Sequence, residues 1–555
     1  MTGNADGDLL DVVVIGGGPC GMAAAVGLAR CGRSVAVLER HPGPFGLPRA
    51  GHVDGEVMRV LQNLGAHERL VANATPYGDY TWYGGAGQIL FVINAGERST
   101  CHWYSDYTVY QPILEQGLLD AAEQLSSLHI RYGHEVVDLQ QDDAGVTLQV
   151  AQSRYDADGA RITSAASETV RALWVIAADG GPSPTRERLG IPRTEIPFDS
   201  EEWLIVDAEI LKRWPQEGHG AQYCNPHRPA FETPLGRRHH RWEWSLLPGE
   251  AVRDFLKPET ARELLAERGI GPDDARVVRQ QVYKFESRTA ERWRAGRVFL
   301  LGDAAHTMAP FMGQGMCAGV RDAANLSWKL DLVTKGTASE SLLDTYEAER
   351  RPHTQTWADI SRAVGQISCT IDPLAAAKRD AAFASGEAAS VPPFPRLTSG
   401  LLYPTKGPFA EVVGDLFPQA LVRADSSTRY WLFDDAVEST FLLVVGGPRA
   451  VLPSERAFVA LEAVGGRLID FTGTVASHAR WWDVDGTYYS YFGGVGAGAV
   501  VVRPDRYVYG AATSSRELEL VLEALVASLH SEVEEAMSDH AKRTVLSTTS
   551  LGARS

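Results

Sequence analysis

The chain has 555 residues, 44% hydrophobic and 22% charged, an ordinary soluble globular mix with length for three or four domains. A formal net charge of −17 argues against a nucleic-acid backbone or an anionic lipid surface as partner. The six cysteines, at 20, 31, 101, 224, 317 and 369, show no CxxC and no Cys/His cluster at zinc spacing, which argues against a disulfide scaffold, structural zinc or an iron–sulfur cluster. No metal site is expected. The first residues lack a basic region followed by an apolar one, and no window nears about 18 consecutive apolar residues. The expectation is therefore no signal peptide, no membrane span and a reducing cytoplasm.

In chain order, Asp11–Ile15 (DVVVI) is a short apolar run giving way to glycine, and Met22–Arg30 reads as a helix stopped by Gly32. Ser34–Leu38 (SVAVL) is then a second buried strand, completing a parallel βαβ unit. Helical patterns recur at Glu56–Leu64 and Pro112–Gln124. Residues 129–178 alternate in short runs with an inserted hairpin and reach an apolar strand, Ala172–Ala178. Between 190 and 285 the chain becomes rich in tryptophan and strand-like runs such as Glu202–Glu209, a separate β-rich layer. A strand signal returns at Arg297–Leu301, with helical sequence after it through Arg351. Residues 370–408, rich in Ala, Ser and Pro, read as a linker or loosely packed crossing. Beyond it, strand-like runs at 441–445 and 499–510 and a helix at Ser515–Leu529 describe a compact α/β module.

Gly16-Gly17-Gly18-Pro19-Cys20-Gly21 fits G-x-G-x-x-G between the first strand and its helix. The first glycine permits the tight turn, the second lets backbone approach a pyrophosphate, and the third allows close helix packing. Glu39 ends the second strand, where a carboxylate can accept from ribose hydroxyls. This segment points to a dinucleotide without choosing between NAD(P) and FAD.

Two further strand ends carry aspartate beside glycine. Ala178-Asp179-Gly180 has Ser183 and Arg186 behind it, and Leu301-Gly302-Asp303-Ala304-Ala305-His306 leads into Pro310-Phe311-Met312-Gly313-Gln314-Gly315 and a helix. With the N-terminal motif, the run GDAAHTMAPFMGQGMCAGVRDAANLSWKL resembles the flavin-ribityl segment of the FAD-dependent aromatic hydroxylases, the single-component flavoprotein monooxygenases. PRAGHVDGEVMRVLQNLG, the block at 223–250 and VVRPDRYVYG look most like the 3-(3-hydroxyphenyl)propionate hydroxylases of the phenol-hydroxylase branch, and the likeness spans essentially the whole chain. Cys20 and Cys317 depart from the pattern, standing where relatives often have Val and Asn.

The resemblance implies an α/β fold: a Rossmann-like FAD-binding domain of the glutathione-reductase type (1–80, 105–188, 286–365) and a β-rich substrate domain (81–104, 189–285). A crossing (366–400) and a C-terminal thioredoxin-like α/β domain (401–555) follow. That last domain has no cysteine, so it cannot exchange dithiols and reads as structural, with a homodimer contact as its expected role. Tightly but non-covalently bound FAD is implied, with NADH or NADPH and O₂ as co-substrates. FAD would be held by Gly16, Gly18, Pro19, Cys20, Gly21, Glu39, Arg40, Arg49, Gln111, Val136, Asp179, Gly302, Asp303, Pro310, Gly313, Gly315 and Met316.

The reaction implied is hydroxylation of a phenolic ring through a flavin C4a-hydroperoxide, with 3-(3-hydroxyphenyl)propionate or 3-hydroxycinnamate as candidate substrates. The alternatives are a natural-product tailoring oxygenase, a Baeyer–Villiger oxygen insertion, or a redox-regulatory flavin-binding protein. A phenol titrates near pH 10, so a positioned base helps activate the ring. His52 and Asp54 are the catalytic candidates, although Asp54 also suits a cap for the helix near Glu56. Tyr223, Arg228 and Pro310 are the substrate candidates, Arg228 as a partner for a substrate carboxylate; His306 reads as structural.

Overall fold

The computed structural model describes residues 9–530, apart from 95, 157, 196–201, 213–217, 388–393, 426 and 476–477. Expectations reaching into 1–8, 388–393 and 531–555 therefore lie outside the described residues. The chain divides into two units, one of Met1–Ala324 with Thr354–Pro395, the other of Asn325–His353 with Arg396–Ser555.

In the first unit, strand Leu10–Ile15 sits inside an eight-stranded sheet between Val35–Glu39 and Arg161–Ala177, both parallel to it. Leu128–Tyr132 and Val298–Leu300 extend the parallel run on either side. Val12, Val13 and Val14 are fully buried, which explains an unbroken apolar run where a half-exposed strand would alternate. Register aligns Ile15 with both Leu38 and Ala177, and Ala177 with Leu300. Four strands thus end at one edge of the sheet, and the chain leaves them as Gly16, Glu39, Asp179 and Asp303. That edge is where open α/β sheets bind ligands.

The strand expected at Ala172–Ala178 is the last third of a longer one, Arg161–Ala177, whose earlier part pairs with Gly145–Tyr155. Its sequence is polar up to Arg171 and apolar beyond, because only the final residues enter the covered sheet. A second, seven-stranded sheet runs in the order Ala275–Lys284, Glu202–Ile210, His239–Ser245, Ala230–Leu235, Gly220–Tyr223, Asp79–Tyr83, Ile89–Asn94. All neighbours are antiparallel except Gly220–Tyr223 with Asp79–Tyr83. The Ala-rich part of 370–408 contains a helix, Pro373–Ser385, whose N-cap Asp372 accepts from the Ala375 N–H at 2.7 Å.

The second unit holds a four-stranded sheet, Arg467–Asp470, Leu442–Val445, Ala499–Val502, Val508–Ala512, with only the first pair parallel. Helices Glu455–Ala463 and Thr487–Val495 and a helix over 515–530 complete the strand and helix order of a thioredoxin-like module. Leu443 and Val445 pack into one cluster while Leu442 and Val444 pack into another, so both faces are covered. Helix Asp344–Ser368 runs through Pro352, although a proline at that point predicts an end at Arg351. Pro352 offers no N–H to the Ala348 carbonyl, and that oxygen accepts instead from the Ser399 hydroxyl.

Candidate active site

A cleft of about 1600 Å³ in the first unit is lined by all three glycine-bearing strand ends and by the second sheet. At the Gly16–Gly21 end of the cleft, Gly16 has φ +108°, and a Cβ there would lie 2.3 Å from the Ala178 carbonyl oxygen. A Cβ on Gly21 would lie 2.1 Å from the Gly16 oxygen, so the helix can approach the turn only with glycine there. Gly18 differs: its φ of −73° suits any residue, and a Cβ would meet nothing within 4 Å. Glu39 braces the loop by accepting from the Gly17 N–H at 2.7 Å and the His41 N–H at 2.8 Å.

The two aspartate turns are joined by Arg186, which is buried and donates to the carbonyls of Gly181, Pro182 and Ala304 at 2.8–3.1 Å. Asp179 accepts from the Ser183 hydroxyl at 2.6 Å and the Thr185 N–H at 3.0 Å, which shapes its own turn. Asp303 is different. Its carboxylate faces the cleft, and among the described residues it has no hydrogen-bond partner. Desolvation by the surrounding protein pushes its carboxyl above the usual range, against the opposing pull of His306 and Arg49. His306 is held by Asp322 at 2.6 Å, stacks on Trp293 and does not line the cleft.

A free acceptor at Asp303, open space at Gly18 and a carboxylate at the end of the second strand suit the ribityl, pyrophosphate and ribose groups of FAD. Pro19, Cys20, Arg40, Arg49, Gln111, Val136, Pro310, Gly313, Gly315 and Met316 also line the cleft. Gly302 does not; it is buried at φ +61°, where its turn lets Asp303 emerge. Gln111 orients the 48–52 loop, its Oε1 accepting from the Ala50 N–H at 2.7 Å while its Nε2 donates to Glu115 at 2.7 Å.

Strand His52–Asp54 pairs with Asp106–Thr108, which brings two ionisable groups together that lie far apart in sequence. His52 Nε2 is 2.7 Å from Asp106 Oδ1, and Nδ1 has a long 3.4 Å contact with the Gly313 carbonyl. Burial lowers the affinity of His52 for its proton, but the Asp106 hydrogen bond and charge prevail and hold its pKa well above the usual value. Both His52 and Asp106 line the cleft. Asp54 does not. Its Oδ1 accepts from the Val57 N–H at 3.0 Å as the N-cap of Gly55–Leu64, and its Oδ2 takes the Gln314 amide and the Arg321 guanidinium. The geometry gives Asp54 the cap.

Tyr223 and Arg228 stand outside the cleft lining. Tyr223 donates to Glu232 at 2.6 Å, and Arg228 is paired with Glu250 at 2.6 Å. Strand register explains Tyr223, since its neighbour Gln222 takes the cleft face and successive side chains alternate. Asp106, Gln222, Glu243 and the buried Asp207–Arg241 pair were missed in the sequence. Asp106 lies just upstream of the Gln111-Pro112 helix start, and Arg241 and Glu243 lie inside the 223–250 block, but neither segment by itself marks which side chain faces the cleft.

The FAD binding domain family matches residues 9–361, and the HcaD C-terminal domain matches 414–528. The chain belongs to the FAD-dependent aromatic hydroxylases. It is 35% identical to a probable NADH-specific resorcinol 4-hydroxylase of Rhodococcus jostii (strain RHA1), over 94% of this chain and 95% of that one. It is 32% identical to a 3-(3-hydroxy-phenyl)propionate/3-hydroxycinnamic acid hydroxylase of Burkholderia cenocepacia (strain HI2424), over 90% and 93%. A crystal structure of aklavinone-11 hydroxylase with FAD and aklavinone superposes with a TM-score of 0.73 at 25% identity, covering 94% of this chain and 100% of that one. This hydroxylase is thus a flavoprotein monooxygenase with FAD as cofactor. Among the described residues no helix is long and apolar enough to cross a membrane, and no group of acidic, His or Cys side chains could hold a metal.

Two results are expected at the FAD end. Gly18→Ala should leave the thermal midpoint within a degree or two, because its Cβ meets nothing, yet it should lower FAD affinity where the pyrophosphate approaches. Unchanged FAD affinity by fluorescence titration would place the pyrophosphate elsewhere. Asp303→Ala should weaken FAD by about 1–3 kcal/mol, the cost of leaving buried hydroxyls without an acceptor. Retention of full FAD occupancy after gel filtration would refute the ribityl role.

Proposed function

We propose that this hydroxylase adds one oxygen to a phenol bearing a meta substituent, ortho to its hydroxyl, with His52 and Asp106 controlling the phenolic proton. The observation that carries the reading is the His52–Asp106 pair on the wall of the same cleft as Asp303 and Gly18. FAD, reduced by the nicotinamide, supplies the oxygen chemistry when bound. The chain's own task is to bind and orient the ring, exclude water and manage its proton.

Asp106 fixes the imidazole through Nε2, and Nδ1, which has a long 3.4 Å contact with the Gly313 carbonyl and the Cys317 thiol close by, is the atom assigned to exchange a proton with substrate. An imidazolium beside the phenol favours the phenolate, whose ring is the stronger nucleophile. Trp203, Phe231, Phe285 and Phe311 supply apolar walls that exclude water. The relatives' named substrates, resorcinol and 3-(3-hydroxyphenyl)propionate, share the meta-substituted phenol. NADH as the preferred reductant rests on the Rhodococcus relative's name. Six free cysteines support a reducing cytoplasm as the compartment, and a homodimer is the proposed assembly, to be tested by light scattering.

The test is rapid-mixing absorbance of the reduced holoenzyme with O₂, with and without resorcinol, 3-methylphenol and 3-(3-hydroxyphenyl)propionate, followed by product mass analysis. A product heavier by one oxygen, ortho to the hydroxyl, is expected. NADH oxidation with no oxygenated product from any of them would overturn the reading.

A further inference from the structure

The cleft-facing side of the seven-stranded sheet carries a carboxyl group that the proton pair does not use. Directly opposed residues share a sheet face, and the register places Gln281, Ile205, Glu243, Phe231 and Gln222 in one row across five strands. All five line the cleft. Three of them are polar, and two of these already hold protein partners. Gln222 donates to the Ala230 carbonyl and the Ser368 hydroxyl and accepts from Tyr80. Gln281 accepts from Arg279. Glu243 is buried to 8% exposure in the middle of the row, and among the described residues its carboxylate accepts no hydrogen bond.

The cations beside it do not satisfy it. Arg241 is gripped at both ends by Asp207, Nε to Oδ1 at 2.6 Å and Nη2 to Oδ2 at 3.0 Å, and its Nη1 donates to the Arg49 carbonyl at 2.8 Å. Its closest approach to Glu243 is 3.7 Å. Arg279 gives its donors to the Pro48 carbonyl and Gln281. Asp207 grips Arg241 and lies 3.7 Å from Arg279, so Glu243 faces two arginines that are already drawn to another carboxylate. Desolvation raises the Glu243 carboxyl to about 7, against Arg241 and Arg279. A buried carboxyl left without donors is costly unless a ligand supplies one.

We infer that Glu243 recognises the second hydroxyl of a neutral 1,3-dihydroxybenzene and thereby selects such rings over phenols whose meta substituent is a carboxylate chain. Above about pH 7, where the Glu243 carboxyl is ionised, a phenolic O–H donating to it makes a short, charge-assisted bond. A site built around such a bond discriminates strongly against an analogue that lacks the hydroxyl, because the carboxyl is then left unpaired. A substrate carboxylate at the same place meets a like charge. The inference rests on the phenol-hydroxylation reading above.

The test measures dissociation constants from flavin absorbance changes in FAD-saturated enzyme, and turnover beside them. The ligands are resorcinol, 3-methylphenol and 3-(3-hydroxyphenyl)propionate, in the parent, Glu243→Gln and Glu243→Leu. Loss of a charge-assisted bond should weaken resorcinol about 10- to 100-fold in Glu243→Leu, leave 3-methylphenol within threefold and tighten the carboxylated ligand. Glu243→Gln, nearly isosteric, should weaken resorcinol less and still spare 3-methylphenol, which decides the matter if the Leu variant folds poorly. Equal changes for resorcinol and 3-methylphenol, or an unmoved resorcinol constant, would overturn the inference. So would a carboxylated ligand that binds no tighter. Binding is read without turnover, so absence of any hydroxylated product counts against the reaction and not against Glu243.

Discussion

His52→Gln is expected to slow ring hydroxylation about 10²–10⁴-fold, the usual cost of removing a positioned proton-transfer group. Flavin reduction by NADH should stay within a few-fold, because the cleft residues assigned to the cofactor, Gly16–Gly21 and Asp303, are untouched. Single-turnover oxidation with product quantification separates the two steps. The pH profile gives a second readout. A His52 pKa held above its usual value by Asp106 means that the imidazole–phenol pair loses its proton late, so hydroxylation should rise with pH through an apparent pKa above 6.5. Asp106→Asn removes the opposing charge and should move that limb to lower pH while lowering the plateau. A His52→Gln enzyme with parental coupling and rate would reduce His52 to a spacer beside Gly313. The linkage sign is definite as well: a raised histidine pKa adds stability below pH 6.5 that fades as pH rises through the folded value.

Glu349→Gln should cost about 3–5 kcal/mol of stability in the second unit, because it strands buried cations. Lys329 and Arg503 are fully buried, and both donate to Glu349 Oε2, at 2.7 and 2.6 Å. Asp505 would remain as the carboxylate paired with Arg503, and Lys329 would lose its carboxylate partner and be left with neutral acceptors such as the Asn325 amide oxygen at 2.8 Å. The double substitution Glu349→Gln with Lys329→Met restores the charge balance and should recover most of the loss, as seen in urea midpoints. An equally unstable double variant would show that shape, not charge, sets the cost. Burial would raise the Glu349 carboxyl, but Arg503 and Lys329 overcome it and bring it down to about 2 from an ordinary 4.5. Its stabilisation is thus complete above about pH 4.5 and lost as pH falls toward 2.

The parallel βαβ start, the three strand-end motifs and the family were legible in the amino-acid sequence, because each depends on residues within a few positions of one another. The local part of the glycine turn is the positive φ of Gly16 and the 2.1 Å clash that a Cβ on Gly21 would make with the Gly16 oxygen, whereas the 2.3 Å clash at Gly16 is with Ala178 on the neighbouring strand. Asp54 stayed open between base and cap, and the cap half of that choice was local, three residues from Val57. What decided between them was not local: Arg321 and Gln314, about 260 positions away, take the second oxygen and leave none for substrate. Tyr223 and Arg228 were named for chemistry that a β-layer can offer, but side-chain alternation and the Glu250 ion pair turn them from the cleft. Conversely, His52 gained Asp106 through antiparallel pairing across 54 residues, and Glu243 gained its place through a register spanning five strands. Which polar groups face one cleft is fixed by strand register and by which donors are already spent, and both are properties of the folded whole.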